Sequence, residues 1–163
     1  MAADHDAPGT GRDETEIERL DRNWNDILQE TRVVQTGTQI LTGFLLAIAF
    51  QARFEDLDGY QLTVYLVLVS FAALATILAI APVSLHRTLF RQRAKRQLVA
   101  TANVLLIATL AAVLVTLSGT ALLIFDMVVG HGVGFIAGGI VLALGIVAWF
   151  VLPGLARIRM RRA

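Results

Sequence analysis

Apolar residues run almost unbroken through four stretches of this chain, about 33–50, 62–83, 99–125 and 133–152. A helix needs about 20 apolar residues to cross a hydrocarbon core about 30 Å thick, and each stretch meets or approaches that length. The runs are continuous, without the strict alternation of a membrane barrel, so they predict four helical spans. Ahead of the first run, Ile17, Leu20, Trp24, Ile27 and Leu28 recur at helical spacing among Glu18, Asp21, Arg22, Asn25, Asp26 and Gln29. That pattern predicts an amphipathic helix. No Gly or Pro interrupts it before Gly37, so one helix is expected to begin in water near residue 12 and enter the first span without a break. Residues 1–11, with their Asp, Gly and Pro, read as a disordered tail.

The first span carries polar side chains. Gln35, Thr38, Gln39 and Thr42 fall on one side of the helix, continuing the side that holds Ile17, Trp24, Leu28 and Thr31, while Val33, Gly37, Ile40, Leu41, Phe44 and Ile48 fall opposite. Amides in hydrocarbon require partners, so this seam either binds neighbouring helices or borders a hydrated path. The second run ends in the sequence at Pro82, which is expected to stop the helix. After it, His86, Arg87, Phe90 and Arg91 form a basic amphipathic stretch suited to lipid headgroups. The fourth run has two small-x-x-x-small pairs, Gly134 with Gly138 and Gly139 with Ala143, which allow close helix packing within or between chains.

Composition agrees, with 56% hydrophobic and only 17% charged residues among 163. Such a chain belongs in a bilayer. The fourteen Lys and Arg cluster before the first run, between the second and third, and after the fourth, leaving only Arg53 elsewhere. The positive-inside rule then puts both termini and loop 84–98 in the cytoplasm, with the tail 156–163. Phe50, Phe54, Tyr60 and Tyr65 would mark the outer interface, and Phe90, Trp149 and Phe150 the inner one. Trp24 lies nine residues before Val33, about 13 Å along a helix, and is expected to be packed in the cytoplasm. Residues 1–32 hold nine acids against four Arg, which suits a protein surface better than anionic lipid. The amphipathic face therefore either packs on the chain's own loop, joins copies of itself, or recruits a cytoplasmic protein.

Cysteine is absent, which removes disulfides, thiolate nucleophiles and cysteine metal sites and suits a bacterial inner membrane. The start lacks the basic, short-apolar pattern of a signal peptide. His5, His86 and His131 are too scattered for a metal cluster, and no phosphate loop or nucleophile–base pair is present. No ionisable residue falls inside the predicted spans, which disfavours proton coupling. Neither enzyme, metal, cofactor nor nucleic-acid partner is expected.

The strings ETEIERLDRNWNDILQETRVVQTGTQIL, FQARFEDLD and IAPVSLHRTLFR resemble an uncharacterised actinobacterial family of small four-span membrane proteins, a domain of unknown function. The resemblance covers most of residues 14–125 and puts Gln35, Gly37, Gln39, Arg53, Phe54, Pro82, His86 and Arg87 in family motifs. It implies a multi-pass membrane protein and no particular activity. The resulting expectation is an all-α membrane protein of four spans, self-associating, with a passive ion or solute path along the first-span seam. The alternative is a non-conducting scaffold or accessory subunit that binds a partner through its N-terminal helix.

Overall fold

In a computed structural model, residues 16–89 and 95–160 are described, and they form helices without strands. Helix α1 covers Glu16–Ile48, α2 Gly59–Leu89, α3 Lys95–Val128 and α4 His131–Ile146; a short 3-10 helix, Ala52–Asp56, joins α1 to α2. A π-helical stretch, Val147–Val151, links α4 to α5, Leu152–Met160.

Helix α1 runs unbroken from its polar half into its apolar half over Glu16–Ile48. It closes with a tightened turn in which Ala49 N–H donates to Leu46 O (3.3 Å). One residue earlier, the Tyr65 hydroxyl donates to Leu45 O at 3.0 Å. Tyr65 is thereby drawn inside, with Leu45, Leu68, Ala72 and Leu123. The phenol places its polar tip on a main-chain carbonyl of α1 while its ring fills the core.

Helix α2 does not stop at Pro82, contrary to the sequence expectation. It continues to Leu89 with Pro82 buried in its interior. The missing N–H leaves one carbonyl of the preceding turn without its donor, a loss that neighbouring helices and small local adjustments offset in apolar bundles. Packing of the next turn favours continuation, because Leu85 lies against Trp24, Ile27, Leu98 and Ala102 of α1 and α3. At the other proline among the described residues the helix adapts differently. Ahead of Pro153, Leu152 N–H reaches back five residues to Val147 O, so the backbone widens there into the π-helical stretch.

Helix α3 is central. It packs against α2 through small residues, with Ala72, Ala75 and Ala79 of α2 all buried, and against α1 and α4 on its other sides. Helix α4 rests on α3 and remains exposed around the rest of its circumference, with large apolar side chains such as Phe135, Ile136, Ile140 and Leu144 uncovered. Three helical segments are long and apolar enough to cross a membrane: Gly59–Arg87, Gln97–Val128 and His131–Met160. Their exposed apolar faces suit a lipid environment. The apolar part of α1 falls short of that standard where four spans were expected, because Gln35, Thr36, Gly37, Thr38, Gln39, Thr42 and Gly43 dilute it. From Val33 to the helix end is sixteen residues. At 1.5 Å per residue that is about 24 Å, less than a hydrocarbon core.

Candidate functional site

The polar seam of α1 is divided by the fold. Successive residues on a helix are about 100° apart, so Thr38 and Gln39 cannot both face α2 and α3. Thr38 takes the inward direction and is buried, and its hydroxyl donates to Val34 O (3.1 Å) and Gln35 O (2.9 Å). The half-buried Thr42 donates to Thr38 O at 2.7 Å and approaches the Thr76 hydroxyl at 3.5 Å. These hydroxyls are satisfied within the chain. Gln35 is half-buried and Gln39 exposed on the flank of α1, and neither amide has a hydrogen-bond partner among the described residues.

The amphipathic face turns into the molecule's own core. Trp24 and Ile27 are buried with Leu98 and Ala102, Leu28 packs against the same cluster, and Leu20 is half-buried. Of Ile17 only its place in the helix is described. The Trp24 and His86 rings stack with centroids 4.9 Å apart and planes 14° from parallel. His86, which the sequence assigned to lipid headgroups, therefore lies against indole, while Arg87 beside it is exposed. Arg91 falls outside the described residues.

The two small-residue pairs also part. Gly134 and Gly138 are buried against α3. A Cβ on Gly138 would lie 2.8 Å from Leu122 Cβ and 3.0 Å from Ser118 O, so the backbones approach as closely as glycine permits. Gly139 and Ala143 face outward.

At the far end of the molecule from Trp24, three helix termini meet around Asp126. Asp58 and Gln61 form a reciprocal capping box at the start of α2: Gln61 N–H donates to Asp58 Oδ1 (2.8 Å), and Asp58 N–H donates to Gln61 Oε1 (3.2 Å). Gln61 Nε2 then donates to Asp126 Oδ2 at 2.8 Å, in the last turn of α3. The second carboxylate oxygen accepts from His131 Nδ1 at the start of α4. A carboxylate only accepts, so the imidazole proton sits on Nδ1 and Nε2 is left outward, with the Tyr60 ring edge-on at a centroid distance of 5.5 Å. Gly130, at φ 126°, makes the turn that returns His131 to Asp126, a conformation that favours glycine.

In the sequence Gln61 falls just before the second apolar run and Asp126 just after the third. The Asp58-x-x-Gln61 spacing was a legible cap signal, but the Gln61 to Asp126 bond spans 65 residues and has no local signature. Beside this knot, Arg53, Asp56, Gln61 and Met127 line a polar cavity of about 210 Å³. An apolar cavity of about 380 Å³ adjoins it, walled by Ile48, Phe54, Leu57, Leu123, Ile124 and Met127, with Arg53 common to both. No group of three or more metal-ligating side chains occurs among the described residues.

A family model described as a family of unknown function (DUF6328) matches residues 13–153. No curated protein and no solved structure matches the chain.

Proposed function

Because the chain belongs to that family of unknown function, its own geometry must carry the reading, and we propose a non-enzymatic multi-pass protein that works as an assembly of identical subunits. In this reading small ions or solutes pass passively along the Gln35 and Gln39 flank of α1. The apolar part of α1 makes a fourth span, and the arginine-rich ends face the cytoplasm of a bacterial inner membrane. The observation that carries the proposal is the exposed Gln39 amide, without a partner among the described residues, on the apolar half of α1. In hydrocarbon such an amide requires water or a second helix. A helix short for a span also tolerates a wetted side better than one wrapped in lipid. The inward hydroxyls of Thr38 and Thr42 are satisfied by carbonyls, so the path runs between subunits and not within one.

The test is flux of potassium, sodium, chloride and glycerol in vesicles containing the full chain, with cross-linking to count subunits. Gln35→Leu with Gln39→Leu is expected to lower the conducted flux about tenfold or more, the effect of losing interactions of roughly 1.4 kcal/mol, while the subunit count stays unchanged. Absence of flux for every solute in the wild-type protein would overturn permeation. A second reading, a non-conducting scaffold, is favoured by Gly43: a Cβ there meets nothing within 4 Å, which lets a second α1 approach closely and pair amide to amide. Under it the same double substitution dissolves the assembly and the wild type conducts nothing. Recruitment of another protein through Trp24 is less suited, because that face is occupied within the chain.

A further inference from the structure

The paired cavities beside Arg53 have a composition that selects a ligand. Arg53 is the only Lys or Arg between Arg32 and Arg87 in the sequence, and none occurs between Arg96 and Arg157, so among the described residues no other Lys or Arg comes from the α1–α2 or α3–α4 connections. Arg53 and Asp56 are three residues apart on the 3-10 helix, Ala52–Asp56. With three residues per turn, that spacing puts both on one side of it. Both line the polar cavity, yet neither has an ion-pair or hydrogen-bond partner among the described residues. A guanidinium and a carboxylate are thus presented together to one space and left uncompensated by each other.

That space shares Arg53 and Met127 as wall residues with the apolar cavity lined by the end of α1, the 3-10 helix and α3. Its depth relative to the helices matters as well. The segments Gly59–Arg87 and Gln97–Val128 begin and end here, so in a bilayer the polar cavity sits at headgroup level and the apolar one just below it.

We propose that this is a binding site for one zwitterionic phospholipid with an ethanolamine headgroup. The planar fork of Arg53 donates to the phosphate oxygens, the Asp56 carboxylate accepts from the ammonium, and an acyl chain lies against Ile48, Phe54, Leu57 and Leu123. A purely anionic lipid satisfies Arg53 but sets its charge against Asp56, and a solute without a chain leaves the apolar cavity unfilled. The site is separate from the α1 flank and does not rest on permeation.

The experiment is native mass spectrometry of the full chain in detergent, titrated with dioctanoyl phosphatidylethanolamine, dioctanoyl phosphatidylglycerol or free phosphoethanolamine. The ethanolamine lipid is expected to bind one per subunit and about tenfold more tightly than the glycerol lipid, as one charge-assisted contact more implies. Asp56→Asn should level the two lipids, and Arg53→Gln should weaken both; the exposure of both side chains keeps these variants folded, which helical circular dichroism checks. Equal binding of the two lipids by the wild type, or affinities unmoved by either substitution, would overturn the assignment. Tight binding of free phosphoethanolamine would overturn the role given to the apolar cavity.

Discussion

A methyl group added at Gly134 should weaken the protein, while the same methyl added at Gly139 should not. A Cβ on Gly134 falls 2.8 Å from Leu122 O, 2.9 Å from Asp126 Cβ and 3.0 Å from Asp126 N. Two of those three atoms are backbone, so relief requires α3 and α4 to move apart. Overfilling a packed contact costs about 1–3 kcal/mol. Replacing a helical glycine by alanine returns about 1 kcal/mol through the restricted unfolded chain, leaving Gly134→Ala between neutral and about 2 kcal/mol destabilised. At Gly139 a Cβ meets nothing within 4 Å, so only the favourable propensity remains. Propensity is common to both variants and cancels in their comparison. The gap is then the overpacking cost alone, about 1–3 kcal/mol, or roughly 5- to 150-fold in the folded-to-unfolded ratio. Equilibrium unfolding in mixed micelles, followed by helical circular dichroism, measures this gap directly. A Gly139→Ala protein as unstable as Gly134→Ala would refute the reasoning, and would place a contact between copies on the outward Gly139 and Ala143 face.

Further substitutions at Trp24, His86 and Asp126 probe the ends of the molecule. Trp24→Ala should cost about 3–5 kcal/mol in the same unfolding assay, because the indole is buried with Ile27, Leu98 and Ala102; His86→Ala should cost less, about 0.5–1.5 kcal/mol for the stacked pair beyond its area. A negligible loss at Trp24 would show that this face is not packed within the chain. Asp126→Ala should lower the melting temperature more than Asp126→Asn, since alanine strands both Gln61 Nε2 and His131 Nδ1 whereas asparagine retains an acceptor. Amide exchange should then quicken at both 58–61 and 126–134; a change confined to the second segment would mean that the Gln61 link does not hold α2 to α3.

The sequence pattern, through the absence of Gly and Pro before Gly37 and apolar positions at helical spacing on both sides of Arg32, predicted one helix from near residue 12 into a first span; the described helix is Glu16–Ile48, and its apolar part falls short of the spanning standard. It misjudged Pro82, because the cost of proline is local while the gain from carrying Leu85 and His86 onto Trp24 is not. It also treated Gln35, Thr38, Gln39 and Thr42 as a unit. Periodicity tells which residues share a side, but the boundary of that side is drawn by the helices that cover it, and α2 and α3 cover Thr38 and leave Gln39 out.

By itself the sequence determined what depends on near neighbours along the chain: helix for each apolar run, and apolarity sufficient for a bilayer in three of them. Those properties follow from backbone hydrogen bonds within a few residues and from side-chain transfer energies, which need no knowledge of the fold. Tertiary structure alone decided which glycine pair touches α3, that the Trp24 face closes on its own chain, and that Asp126 joins the caps of α2 and α4. Each of those depends on distances between segments tens of residues apart, where two faces of equal composition are distinguished only by what packs against them.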